Sequence, residues 1–267
     1  MLRPYGALYP YYGPINEINS AGTSNYSSLQ TTFRTTNFHG LTSQFSYTWS
    51  HGLDEMTDYR GAVPQNSFDL KGDYGNMEFD TRNSFISYLN YAMPGDLLRG
   101  PHWLTHGWQL NGLISLHGGQ PFTVYTGNDT SGTGEGEDRP DQVGPVVPGA
   151  RTIAKYSGTY QYITNANFVS PTDAFGTMRR NQLFSPGFED VDFSVFKDGH
   201  VTERCTVQFR VEMFNLLNHT NLAPPDNSLA DGSAFGTVTS TIGNYNGAPG
   251  IGPGEPFNTQ LALKIIF

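Results

Sequence analysis

The chain has 267 residues, a formal net charge of −9 and a pI near 5.1. The acid excess excludes the basic stripe that a nucleic-acid surface needs, and no run approaches the roughly eighteen apolar residues of a membrane helix. An apolar share of 37% with 13% aromatics, 31 Gly and 17 Pro describes an all-β chain rich in turns and loops. A membrane barrel survives these exclusions, because alternating strands average out in any hydropathy sum.

Residues 1–24, dense in Pro, Tyr, Gly and Asn, read as loop with a short extended piece over 9–15. They show no basic segment followed by an apolar one, so no signal peptide is expected, and an exported chain would have its natural start before Met1. The first strand is predicted over 25–37, with Leu29, Thr31, Phe33 and Thr35 opposite Gln30, Thr32, Arg34 and Thr36. After a tight turn at Phe38, His39 and Gly40, residues 41–49 alternate most cleanly, Leu41, Ser43, Phe45, Tyr47 and Trp49 against Thr42, Gln44, Ser46 and Thr48. These two strands make a hairpin.

A polar stretch over 51–80 precedes a third strand over 81–91, which Pro94 and Gly95 end. The fourth strand covers 106–117 with a continuation through Phe122, Val124 and Tyr125. Residues 127–186 are the longest irregular region, a length of structureless loop that is unusual in a compact soluble domain. The fifth strand covers 188–197, Val191, Phe193 and Val195 alternating with Asp190, Asp192 and Ser194, and a short turn is expected at Asp198, Gly199 and His200. In the sixth, over 201–213, Cys205, Val207, Phe209, Val211 and Met213 face away from Thr202, Arg204, Thr206, Gln208, Arg210 and Glu212. The lone Cys205 forbids an internal disulfide and reads as a packing residue.

Residues 214–256 are loop, and the last strand runs over 257–267. Phe257, Thr259, Leu261, Leu263, Ile265 and Phe267 lie on one side and Asn258, Gln260, Ala262 and Lys264 on the other. At about 3.3 Å per residue and a tilt near 45°, such a strand spans about 25 Å, the height of a barrel's apolar band.

The connections between strands one and two, three and four, and five and six are short; the other three are long. Antiparallel strands then put every short turn at one end and every long loop at the other, the plan of an up-and-down transmembrane β-barrel segment with long outer loops. Arg34, Arg204, Gln208, Arg210, Glu212 and Lys264 all take the polar parity and are assigned to the lumen, since a mid-bilayer charge facing lipid costs about 2 to 4 kcal/mol. Lys197 and Glu203 break the rule but flank a short turn. Tyr47, Trp49, Tyr88, Tyr91 and Trp108 cluster near strand ends, as interfacial girdles do. A β-sandwich would alternate equally well; loop asymmetry separates the two.

Three constellations suggest other chemistry. His102 and His106 have the spacing of a helical zinc pair, but Pro101 and Gly107 bracket a turn and no third ligand is near, so no metal site is expected. Gly132, Gly134 and Gly136 imitate a phosphate loop without the flanking strand and helix. Asp129, Glu135, Glu137, Asp138 and Asp141 read as a solvated outer loop, with calcium binding the alternative. No Ser, His and Asp set is held at nucleophile spacing and no Gly-x-Ser-x-Gly occurs, so neither catalytic residues nor a cofactor is expected.

The terminal Leu261, Leu263, Ile265 and Phe267 resemble the C-terminal recognition strand of bacterial outer-membrane barrels, which the barrel-assembly machinery reads. HGLTSQFSYTWSHGLDE at 39–55, GNMEFDTRNSF at 75–85, GGQPFTV at 118–124, FEDVDFSVFKD at 188–198 and FRVEMFNLLNHTN at 209–221 occur in this order. Together they resemble the barrel portion of TonB-dependent outer-membrane receptors, specifically the Oar-like proteins with a carboxypeptidase-regulatory-like domain. The resemblance implies energy-coupled uptake or binding of a large substrate by a barrel of about twenty-two strands with a lumenal plug. It also implies outer-membrane lipid, the remaining barrel and plug, and TonB (through an N-terminal part) as partners, in a Gram-negative type cell. Seven strands are too few for that barrel, and an open sheet leaves two unpaired edges in lipid. Residues 1–267 are therefore expected to be the C-terminal part of one barrel domain, from a longer receptor or a truncated gene. The rivals are a secreted all-β carbohydrate- or protein-binding module and a small eight-stranded barrel using residues 5–17.

Overall fold

The computed structural model describes residues 8, 9, 11, 17, 19–56, 63–97, 99–134, 136, 138–149, 151–154, 158–248 and 252–267. Seven long strands form one antiparallel sheet: β1 (Ser24–Phe38), β2 (Leu41–Asp54), β3 (Asn83–Ala92), β4 (Trp108–His117), β5 (Phe188–Thr202), β6 (Cys205–Phe214) and β7 (Asn258–Ile266). Their spatial order is their chain order, with the two-residue strand Gly75–Asn76 added beside the end of β2. The extended piece over 9–15 and the eighth strand over 5–17 fall largely outside the described residues.

The register keeps one parity across the sheet. Arg34 lies opposite Gln44, Gln44 opposite Tyr88, Tyr88 opposite Leu113 and Leu113 opposite Asp192, while Glu212 lies between Ser194 and Gln260. Since successive side chains take opposite faces, one wall carries the polar set and the other the apolar set. All three short connections lie at one end, which two glycines pack tightly. A Cβ on Gly40 (φ +86) would meet the Ala92 carbonyl oxygen at 2.4 Å, and one on Gly107 (φ +80) the Asp198 carbonyl oxygen at 2.5 Å.

Several predicted boundaries move. β5 does not turn at 198–200 but runs on to Thr202, because Asp198 keeps the polar parity and pairs with Gln208; the turn falls at Glu203 and Arg204. β2 continues past Trp49 to Asp54, where its edge-side neighbour β1 is still paired to it. β4 starts at Trp108 because His102–Thr105 form one helical turn. It also stops at His117: Pro121–Phe122 pairs instead with Leu183–Phe184, and Val124 is fully buried away from the sheet.

The largest correction concerns 127–186. It is not structureless but is built from short pairs, Asp141–Gln142 with Phe168–Val169, and Arg151–Ala154 with Thr159–Gln161, the latter also pairing with Thr237–Val238 of the last loop. Runs of two to four residues are too short to display a period, which hides them from parity. The buried cluster Val124, Ile163, Phe168, Met178, Leu183 and Phe235 lies entirely in these outer connections. Among the described residues, no apolar side chain of the seven long strands is buried.

Candidate functional site

The polar wall carries a chain of amide and carboxylate contacts near the short-turn end. Gln109 Nε2 donates to Asp198 Oδ2 at 3.2 Å, Gln208 Nε2 to Asp198 Oδ1 at 2.8 Å, and Arg210 Nε to Gln208 Oε1 at 2.5 Å. The Arg210 guanidinium lies 4.6 Å over the Phe196 ring. Further along, Asn90 Nδ2 donates to Asn111 Oδ1 at 2.5 Å, and Thr32 and Ser46 share a hydroxyl contact at 3.3 Å. Arg34 and Lys264 sit in the half nearer the turns, where Asp198 is held by Gln109 and Gln208; Arg210 is at mid-strand, and Asp190, Asp192 and Glu212 lie in the half nearer the loops.

The opposite wall is apolar and open. Phe33, Phe45 and Phe85 form a cross-strand row with centroids 6.3 and 6.5 Å apart, and Phe33 remains 62% exposed. Tyr47 and Trp49 occupy the loop end of this wall, and Tyr91 and Trp108 the turn end. Trp108 Nε1 donates to the Leu104 carbonyl at 2.7 Å, and Lys197 Nζ lies 5.7 Å from the Trp108 ring while donating to the Asp198 carbonyl at 2.7 Å. The cation that breaks the parity rule thus bends toward backbone and an aromatic ring. Tyr88, counted with the girdle from sequence, instead lies on the polar wall opposite Gln44 and Leu113.

Of the residues assigned to the lumen, Arg34, Gln208, Arg210, Glu212 and Lys264 share the polar wall, the last four as neighbours on β6 and β7. Arg204 does not join them. It is exposed in the turn between β5 and β6, where its amide donates to the Thr202 hydroxyl at 3.3 Å, because β5 carries the hairpin four residues further than parity suggested. Leu261, Leu263 and Ile265 are 66%, 67% and 57% exposed on the apolar wall of the edge strand β7, and Phe267 follows it, fully open. Sequence reasoning missed Gln109, Phe196 and Asp198. Polar parity on their own strands was the available signal for Gln109 and Asp198, but the misplaced turn removed Asp198 from its strand.

At the loop end the three long connections close into one cap. Arg139 pairs with Asp73 at 2.5 Å and donates from Nε to the Met178 carbonyl at 2.9 Å; both ionic side chains are buried. Arg180 pairs with Asp54 and donates to the Asp54 and Asp73 carbonyls at 2.7 and 2.9 Å. Asn76 and Asn181 exchange two amide-to-carbonyl bonds of 2.8 Å, and Asn181 Oδ1 accepts from Thr123 Oγ1. Two motifs quoted above thereby acquire physical roles. In the FNLLNHTN stretch, Asn215 Nδ2 donates to the His219 and Glu255 carbonyls and Asn221 Oδ1 accepts from the Glu189 amide at 2.7 Å, tying the last loop to the start of β5. In GNMEFDTRNSF, Asp80 accepts from the Gly52 amide at 2.8 Å and pairs with Arg82 at 3.3 Å.

The acidic loop is spent on its own folding. Asp138 accepts from the Ser131 amide at 2.7 Å and Thr130 Oγ1 at 3.2 Å, Asp129 from the Gly134 amide at 2.8 Å, and Asp141 from the Thr177 amide at 2.9 Å. Glu135 and Glu137 lie outside the described residues. The His102 and His106 rings stack at 3.8 Å, and no group of three or more metal-ligating side chains occurs among the described residues. Two cap residues have shifted acidity: burial raises the Tyr162 phenol, whose hydroxyl donates to the Phe184 carbonyl at 2.9 Å, and burial together with neighbouring Asp231 raises Asp226.

A sheet with an open apolar wall girdled by aromatics, a polar wall behind it, short turns at one end and a knitted cap at the other is the wall of an outer-membrane β-barrel. The chain belongs to the family described as "Outer membrane beta barrel domain", whose match covers residues 1–246. No curated protein and no solved structure matches it.

Proposed function

We propose that this chain forms part of the barrel wall of a TonB-dependent receptor of the Oar-like type, which binds or takes up a large substrate at the outer membrane of a Gram-negative type cell. The observation that carries the barrel reading is the apolar wall, on which no apolar side chain is buried among the described residues: a soluble sandwich of the rival, secreted binding module would pack that wall against a second layer. The receptor reading is supported by the five ordered motifs and by the cap, whose buried ion pairs make a fixed outer surface rather than loose loops. Its partners are lipid on the apolar wall, further barrel strands along β1 and β7, a plug against the polar wall, the barrel-assembly machinery at β7, and TonB through another part of the receptor. On this reading the chain needs no covalent chemistry, cofactor or metal of its own.

Energy coupling is testable without knowing the substrate. With Cys205 replaced by Ser and Glu212 by Cys, an impermeant maleimide is added to living cells that carry the complete receptor. Labelling of the lumenal cysteine should change when TonB is deleted, and identical labelling in both strains counts against the TonB-dependent reading. A chain that stays folded and monodisperse after detergent removal favours the secreted module instead.

A further inference from the structure

Among the described residues of the seven strands, the apolar wall carries two formal charges, Glu189 at the loop end and Lys197 at the turn end. Lys197 stands in register with Trp108 on one side and Phe209 on the other, and Val195 and Gly199 flank it on its own strand. None of these neighbours is an acid. The half-buried Lys197 makes no ion pair among the described residues. One of its three ammonium protons goes to the Asp198 carbonyl at 2.7 Å, and the Trp108 ring lies 5.7 Å away. Two protons and the whole charge are left for an anion from outside the chain.

The same end of the wall has a second feature. The hairpins β1–β2 and β5–β6 turn through residues 39–40 and 203–204 alone, but β3 and β4 are joined by 93–107, which folds the helical turn His102–Thr105. Thr105 is 3% exposed and the His106 ring fills the space over Gly95, whereas Trp103 and Leu104 are 73% and 45% exposed. Trp108 Nε1 donates to the Leu104 carbonyl at 2.7 Å, so the exposed pair is tied to the residue beside Lys197. An open tryptophan and leucine that prolong an apolar wall, next to a cation without a counter-charge, match the layer where acyl chains meet phosphates.

We propose that Lys197, framed by Trp108 and the Trp103–Leu104 pair, binds the phosphate of a phospholipid headgroup at the turn end of the apolar wall. The inference rests on that wall facing lipid and names the group recognised there. Lysine supplies the point charge that a phosphate takes. A free phosphate has no acyl chains to lie against Trp103 and Leu104, so the occupant is a lipid.

The test is tryptophan quenching on the full chain in neutral detergent micelles, in a Trp49→Phe background that keeps Trp103 and Trp108. The quenchers are phosphatidylglycerol with brominated acyl chains and diacylglycerol with the same chains and no phosphate; inorganic phosphate is the competitor. Phosphatidylglycerol should quench at the lower mole fraction, and inorganic phosphate should not displace it. Lys197→Gln should raise its half-quenching mole fraction about tenfold, the scale of a charged hydrogen bond lost, and bring it level with diacylglycerol. Lys197→Arg should restore the preference, and Arg179→Gln, on the cap surface, should change nothing. Equal quenching by the two lipids, a Lys197→Gln curve like that of the parent, or displacement by inorganic phosphate overturns the site. Should Lys197→Gln fail to give a strand-rich spectrum, Trp103→Ala at its exposed position must still weaken quenching of Trp108 by phosphatidylglycerol, and an unchanged curve overturns the site. Quenching by both lipids alike removes the phosphate site and leaves the lipid-facing wall; quenching by neither removes both.

Discussion

Asp54 and Asp73 knit the cap through buried ion pairs. Each is buried and meets an arginine from the 118–187 connection, so that Asp54 with Arg180 ties the end of β2 to that connection and Asp73 with Arg139 joins two separate loops. Removing one partner leaves a buried, unpaired guanidinium, a loss of about 3 to 5 kcal/mol. Asp73→Ala should therefore make the cap cleavable by added protease under conditions where the strands stay protected, whereas exposed Asp69→Ala should not. Asp226 adds a pH dependence. Burial and Asp231 raise its carboxyl above the ordinary 3.8, so the folded cap keeps this proton longer than the unfolded chain does. The stabilising term is complete below 3.8 and is lost as pH climbs through the raised value, so stability falls with rising pH. Hydrogen exchange of residues 226–238 should be slower at mildly acid pH than at neutrality, after correction for intrinsic rates, and Asp226→Asn should flatten the difference.

At the scale of elements, the seven strands were legible and the cap was not, for one physical reason. Strands of nine to fifteen residues repeat their parity enough times to show it, and Val191, Phe193 and Val195 or Cys205, Val207 and Phe209 declare a face without any structure. The cap is assembled from two-residue pairs and from Asn side chains bonding to main chain 32 to 105 residues away, which no local pattern announces. Arg204 shows the intermediate case: the strand was seen, its turn was set four residues early, and a residue expected in the wall lies in the loop. The same parity predicts how strands tolerate charge. Val195→Arg, in mid-strand on the apolar wall, should lower membrane-embedded stability by about 2 to 4 kcal/mol, measured by urea unfolding in lipid, while Thr32→Arg on the polar wall should cost little.

For the whole molecule, β1 and β7 are free edges among the described residues, 15 and 9 residues long, and both are exposed nearly throughout. A bilayer cannot hold such edges unpaired, so the proposed function requires further strands to pair with them, with lipid on one side and a wet lumen on the other. That two-sided solvation is the central claim, and cysteine accessibility tests it most directly. In a Cys205→Ser background, single cysteines at Thr32, Glu212 and Gln260 are compared with cysteines at Phe33, Val211 and Leu261, using a water-soluble maleimide on the membrane-embedded protein. The account predicts rapid labelling of the first set and protection of the second, with the protection abolished by unfolding. Equal labelling of both sets would show water on both walls, and the sheet would then not be a membrane wall at all.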